Sequence, residues 1–225
     1  MENIVPYKKI IGYIHVCQIG QWQRSLKMIL DVIKSSGLYE NTKTIRLGIL
    51  NDLGLVIPDD LLNDEKFEII HVGVSGEYEG PTLLHMRTKS EEDGGDSLYY
   101  YLHTKGIKYF GKNLPDYGNE QHIIDWINLL LYWNVEKWKL AVEKLETYDT
   151  YGCNDVGWHY SGNYWWAKSS HIMKLPTNFE MKHYTDLENW VQIVRDNKFC
   201  VYNSGLQGNG HYSDPFPRSN YCEEK

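Results

Sequence analysis

The feature that most constrains this chain is a repeated change of hydrophobic period. Residues 9–17 form an apolar run of β-forming type, and residues 24–35 then space Leu26, Ile29, Leu30 and Ile33 at helical intervals, with Gly37 as the stop. Residues 44–50, 67–74 and 98–102 repeat the strand pattern. Residues 77–89 hold Gly80-Pro81 and then a helical run, with Pro81 in the first turn. Strands separated by helices argue for a mainly parallel sheet. The expected fold class is therefore α/β, one domain with a mainly parallel central sheet and helices on both faces.

The later chain continues the theme. Its strongest helix is expected over 119–145, with Ile123, Ile124, Ile127, Leu130 and Leu131 on one side and a break near Trp133-Asn134. Strands are predicted at 151–155, 160–167 and 199–203, and helices at 169–174 and 185–195. Residues 58–64 read as a turn and short helix, residues 91–96 as a loose acidic loop, and residues 205–225 as a tail rich in Gly, Pro, Ser and Asn. There are no internal repeats and no long linker. The 225 residues read as one domain. The division expected from its candidate residues is a nucleotide-sugar-binding half at about 10–106, an acceptor-binding half at about 107–212 and a tail at 213–225.

Composition removes several function classes. Net charge is −7, from 23 basic and 30 acidic residues, so the chain as a whole is no nucleic-acid binder. Its apolar runs are too short for a membrane span, and no targeting signal is visible, which points to the cytoplasm. Cys17, Cys153, Cys200 and Cys222 are scattered without a CxxC and read as free thiols of a reducing compartment. Tyr and Trp, at 18 and 8, far outnumber the 5 Phe. Rings with a polar handle favour binding surfaces.

Two segments concentrate the chemistry. The strand at 98–102 ends abruptly in His103-Thr104-Lys105-Gly106, and ligands of open α/β sheets sit outside the carboxyl ends of the strands. The stretch from Gly157 to Lys168 packs rings, amides and a hydroxyl around two glycines. A sugar needs both, since its C–H face stacks on rings and its hydroxyls take hydrogen bonds. Trp158, Tyr160, Asn163 and Trp165 are the acceptor-side candidates, with Asn163 and Trp165 expected to face a pocket. Trp165 and Trp166 alternate along a strand, so at least one belongs to the core.

Further candidates line the strand ends. His15, Gln18, Gly20 and Trp22 lie between the first strand and its helix, where backbone amides attract phosphate and Trp22 offers a ring to a base. An ordinary βα turn with a buried ring accounts for them equally well. No GxGxxG or GxxxxGK[ST] motif is present. Glu77 and Glu79 beside Gly80-Pro81 either hold a ribose or sugar hydroxyl or form a solvated turn. Asp186 and Glu188 are helix-start carboxylates by one reading and general bases by another.

The YLHTKG segment, the helix with Asp125-Trp126, the Tyr148-Asp149-Thr150-Tyr151-Gly152-Cys153-Asn154 run and above all His159-Tyr160-Ser161-Gly162-Asn163-Tyr164-Trp165-Trp166-Ala167-Lys168 carry a resemblance. From about residue 10 to 212 the chain resembles small GT-A-type glycosyltransferases, a group that includes a chlorella-virus capsid-protein glycosyltransferase and bacterial relatives near polysaccharide genes. The resemblance implies a nucleotide-diphosphate sugar as donor, and a glycan or glycoprotein hydroxyl as acceptor. It implies a donor across the front half and an acceptor in the rear half; with the candidates above, the expected donor contacts are His15, Gln18, Gly20, Trp22, Glu77, Gly80, His103, Thr104 and Lys105, and the expected base is Glu188 or Asp186. It also implies a strand-end DxD holding Mn²⁺ or Mg²⁺. Here the strand ends in His103-Thr104-Lys105 without a carboxylate pair, so Lys105 becomes a direct partner for the diphosphate. His103 with His211 is the remaining metal pair. Two other readings compete: a glycan-binding protein without turnover, supported by the ring-and-amide cluster, and a nucleotidyltransferase, which uses similar strand-end chemistry but needs a carboxylate pair for two metals.

Overall fold

The computed structural model describes residues 9–54, 63–111, 119–178, 184–194, 197–206, 208 and 210–222. Most of the turn and helix expected at 58–64 lies outside these residues. The strands are β1 (Ile10–Cys17), β2 (Thr42–Leu50), β3 (Phe67–Gly73), β4 (Leu98–His103), β5 (Thr150–Gly152), β6 (Trp165–Lys168) and β7 (Lys198–Cys200). They form one sheet in the order β3-β2-β1-β4-β6-β5-β7. β6 runs antiparallel to β4 and β5, and the other pairings are parallel.

The main helices are α1 (Trp22–Ser35), α2 (Leu38–Asn41), α3 (Gly80–Asp93), α4 (Glu120–Leu131), α5 (Trp138–Lys144), α6 (Ser169–Ile172) and α7 (Gly210–Ser213). Strand side chains alternate between faces, and this chain fills both. Ile14, Tyr100, Leu102 and Trp166 pack with α1, α4 and α5 on one side. Ile11, Tyr13, Tyr99, Tyr101 and Trp165 pack with α3 and α6 on the other. Tyr99, Tyr100 and Tyr101 are all buried. A side chain at Gly12 would collide with the ring of Tyr100, so glycine there leaves room for this bulky strand beside it. The expected mixed α/β domain with a mostly parallel central sheet is what forms. No helix among the described residues is long and apolar enough to cross a membrane.

Three local expectations are corrected. The acidic loop at 91–96 is not loose where it begins, because Asp93 ends α3 as a buried anchor. Its carboxylate accepts from Arg46 at 2.7 Å, Tyr99 at 2.9 Å and Lys9 at 3.0 Å. Burial opposes ionisation there, but these partners prevail and hold the carboxyl down at about 2. The strand at 160–167 is shorter than expected. Gly162 and Asn163 take left-handed backbone conformations, with φ of 97° and 55°, which an extended strand cannot contain. The helix at 185–195 is replaced by two 3₁₀ turns, Tyr184–Asp186 and Trp190–Gln192. Leu187, Trp190 and Val191 are drawn into the core, and the Trp190 indole donates to the Pro176 carbonyl at 3.2 Å.

The break expected near Trp133-Asn134 is a π-helical segment, Tyr132–Glu136, joining α4 to α5. Trp166 donates to the Asn134 carbonyl at 2.7 Å, so a backbone group near the widened turn finds its partner in the sheet.

Candidate active site

Parallel β1 and β4 end side by side, with His15 opposite His103. Thr104 fastens the two ends: its N–H donates to the His15 carbonyl at 2.9 Å and its hydroxyl accepts from the Cys17 N–H at 3.0 Å. Ser25 of α1 then holds the backbone of Lys105, accepting from its N–H at 3.1 Å. Because β6 is antiparallel to β4, the loop that precedes β6 arrives at this same edge. There the Gly162 carbonyl meets the His103 Nε2 at 3.1 Å, and the Tyr164 hydroxyl donates to the His103 carbonyl at 2.7 Å. A Cβ on Gly162 would stand 2.6 Å from a Leu130 methyl, so glycine lets the loop close on α4.

Glu79, immediately before α3, faces this junction. Asn163 donates to it at 2.6 Å, and the His103 Nδ1 lies 3.7 Å from its other oxygen. Asn163 is itself fixed by the Trp165 indole, which donates to its carbonyl oxygen at 2.9 Å. Burial pushes the Glu79 carboxyl up to about 7, aided by the negative charge of Glu188, against the pull of Tyr101, Lys105 and Asn163. The buried Tyr101 hydroxyl beside it makes no well-formed hydrogen bond among the described residues, and burial with the Glu79 charge raises its pKa strongly.

Lys105 completes the cluster. Its ammonium lies 3.8 Å from the centre of the Trp126 ring, a cation–π contact. Burial lowers its pKa, and the charges of Glu188 and Glu79 counter that shift. Glu188 lies 3.7 Å from the His159 Nε2 on the far side. Burial keeps His15 and His103 down at about 3, with Lys105 adding to the shift at His103. Both rings are therefore neutral near pH 7. A cavity of about 130 Å³ opens among His15, Cys17, Tyr78, Glu79, His103 and Thr104. The cavity itself offers one carboxylate, two imidazoles, hydroxyls and a thiol at the carboxyl edge of the sheet, and Lys105 and Glu188 act on it electrostatically from outside its lining.

The other sequence candidates distribute unevenly. Trp22 is buried in the core with α1 and offers no free face to a base. Gly20 has φ of 54° and packs its backbone on the Ile107 carbonyl, so its role is the close approach of two loops. Gln18 is buried and accepts from the Asn51 side chain. Glu77 pairs with His71 at 2.6 Å and, with Gly80, lines a different cavity of about 400 Å³. Tyr160 and Trp165, expected on the acceptor side, are each 1% exposed. The Tyr160 hydroxyl is spent on Thr150 at 3.0 Å, and Trp165 stacks on Tyr101 at 4.9 Å, so both belong to the core behind the site. Asn163 reaches the cluster by its amide, and Trp158 is 55% exposed. Asp186 closes the 3₁₀ turn two residues before Glu188.

His103 and His211 do not converge as a metal pair. The His211 ring stacks on Trp126 at 5.1 Å and directs its Nε2 to Ser204 at 2.9 Å, whereas His103 turns its Nε2 to Gly162. No group of three or more His, Cys, Asp or Glu side chains among the described residues is arranged to hold a metal ion. Among the described residues the donor set at the strand end, His103 with Glu79, supplies too few oxygen ligands for Mg²⁺ or Mn²⁺, which favour several.

Sequence reasoning ranked Glu79 below its neighbours and left Tyr101 and His159 out of the site. The one signal for Glu79 was its position directly before Gly80-Pro81, where a helix begins at a strand-end crevice.

No protein-family model and no curated protein matches the chain. Among solved structures it is similar to 4-diphosphocytidyl-2C-methyl-D-erythritol synthase from Anaerococcus prevotii, at 11% identity over 95% of this chain and 94% of that one, with a TM-score of 0.47. It is also similar to a protein described as a nucleotide-diphospho-sugar transferase from Desulfovibrio desulfuricans, at 11% identity over 88% of this chain and 81% of that one, with a TM-score of 0.42. Likenesses this distant carry no assignment of their own.

Proposed function

We propose that this protein is a glycosyltransferase that moves a sugar from a nucleotide-diphosphate donor to the hydroxyl of a glycan or glycoprotein. The observation that carries the reading is Lys105, seated on Trp126 just after the end of β4 at the carboxyl edge of the sheet, where the charges of Glu188 and Glu79 act on it. In this reading Lys105 meets the donor diphosphate as a point charge. It stabilises the leaving nucleoside diphosphate as the bond from the anomeric carbon to the phosphate oxygen breaks, which is where a fixed charge contributes most.

Glu79 takes the proton of the acceptor hydroxyl while that oxygen bonds to the anomeric carbon. A carboxyl raised to about 7 suits a base working near neutrality. Asn163 and Trp165 hold it in place, and Glu188 keeps Lys105 charged. Attack from the face opposite the leaving group gives inversion.

The test is a thermal-shift screen against UDP, GDP, dTDP and CMP, each with and without Mn²⁺. A ligand that binds only the native state raises the melting temperature. One diphosphate nucleotide is expected to shift the transition selectively in the wild type and not in Lys105→Ala. If none of them shifts it while free oligosaccharides do, the protein is a glycan binder without a donor site. If a nucleoside triphosphate binds and releases pyrophosphate, the activity is nucleotidyl transfer.

A further inference from the structure

Another cavity lies away from the strand-end cluster. It is an open groove of about 830 Å³ walled by the rings of Tyr132, Trp133, Tyr202 and Tyr221, with Lys137 and Asn220 among its polar lining groups. We infer that this groove is a second carbohydrate site, which holds an oligosaccharide chain outside the cleft.

Three observations carry the inference. First, the rings form a connected set: Trp133 stacks on Tyr202 at 5.4 Å, and Tyr132 touches both Trp133 at 4.8 Å and Tyr221 at 5.3 Å. Trp133 and Tyr202 are partly exposed and give the groove its ring surface, with Tyr132 and Tyr221 buried behind them, and the amide, hydroxyl and ammonium groups alongside supply the partners that a sugar's hydroxyls need. Second, the Trp133 indole N–H and the Tyr221 hydroxyl are buried and have no hydrogen-bond partner among the described residues. Buried donors of this kind ordinarily find one. Both belong to residues that line the groove.

Third, the backbone is irregular at this point. Tyr132 and Trp133 open the π-helical segment, and such segments are frequent at functional sites. The tail is fastened over the same turn. Arg218 makes a bidentate pair with Glu136, at 2.7 and 2.5 Å, which sets Tyr221 against Tyr132.

The groove also has a definite relation to the cleft. Trp133 follows Trp126 by seven residues, about 10 Å along a helix, and therefore sits on a similar side of it. Trp126 underlies Lys105. His211 stacks on Trp126 and bonds Ser204, two residues after Tyr202. A short glycan lying in the groove would thus point one end toward the cluster. Only this orientation rests on the glycosyltransferase reading, and binding itself does not.

The experiment uses the full chain and no nucleotide. Maltopentaose, cellopentaose, chitopentaose and mannopentaose are titrated separately, followed by tryptophan fluorescence and saturation-transfer NMR. At least one is expected to bind saturably and to receive magnetisation from aromatic protons. Trp133→Ala should weaken it by about tenfold, the effect of 1.4 kcal/mol. Asn220→Ala, an exposed change that leaves the ring wall intact, should weaken it by a smaller factor, and Lys105→Ala should leave it unaltered. Failure of all four glycans to bind overturns the inference, as does affinity untouched by both groove substitutions. Loss of binding in Lys105→Ala alone would place the glycan in the cleft and overturn it too. Because no donor is present, each of these failures leaves the nucleotide test standing.

Discussion

The strand-end cleft and the tail groove use opposite means. The cleft is small, at about 130 Å³, and relies on charge: Glu79 and two neutral imidazoles line it, and the charges of Lys105 and Glu188 act on Glu79 from beside it. The groove is large, at about 830 Å³, and relies on rings. The contrast follows from where each lies. Strand ends bring polar groups together by register, and the low-dielectric surroundings there magnify every charge. A groove between a helix and a returning tail has no such focus, and its contacts gain by area instead. Charge suits a reacting centre, and rings suit a chain that must be held without being altered.

That contrast can be broken most decisively at Glu79. Glu79→Gln is isosteric, so it should keep nucleotide binding while lowering turnover by about 10²–10⁴-fold, the range of a lost general base. Steady-state kinetics with matched thermal shifts would check this, and near-normal turnover would return the base to Glu188. Lys105→Met should remove the fixed charge and lower turnover by about 10²–10³-fold, with weaker diphosphate binding. If it also abolished glycan binding in the groove, the two regions would not be independent.

A structural control lies at the opposite end of the sheet. Asp93→Ala leaves Arg46 buried without its main partner and should cost about 3–5 kcal/mol of stability by denaturant unfolding. Activity per folded molecule should be unchanged, whereas a selective loss of activity would link this network to the cleft.

The pH dependence is subtler. The folded Glu79 carboxyl is raised to about 7, so the native state keeps a proton that the unfolded chain has released. Glu79 therefore adds stability below the ordinary carboxylate range that is lost as pH rises through about 7, on the order of 3 kcal/mol. Turnover should rise over the same interval as the base ionises. In Glu79→Gln both trends should flatten, and an unaltered pH–stability curve would assign the proton elsewhere. The smallest effect is expected at Trp158, 55% exposed, where Trp158→Ala should change stability by no more than about 0.5 kcal/mol. A larger loss would reveal a packing role.

Much of the architecture was legible in the chain itself. Apolar β-forming runs alternating with stretches of helical spacing placed β1 to β4, α1 and α4 within a few residues, and the break expected near Trp133-Asn134 coincides with the π segment. These are local signals, because burial on one or both faces repeats along a single element. His103, Thr104 and Lys105 were visible for the same reason: a polar cluster ends an apolar strand. The Gly157–Lys168 stretch misled in part. Its rings resemble a binding surface, yet Tyr160 and Trp165 are core and only the neighbouring amide of Asn163 reaches the cluster.

What the sequence by itself determined is thus the set of elements, the sheet class and one strand end with its lysine. Only the tertiary structure decided that β6 runs antiparallel beside β4, which carries Asn163 to Glu79 across 84 residues of chain. It alone decided that Tyr202 and Tyr221 close on Trp133 and Tyr132. The physical reason is that hydrophobic period reports which side of an element is buried, but carries no information about which element buries it. A site made of residues far apart in the chain exists only once strand order and direction have been chosen.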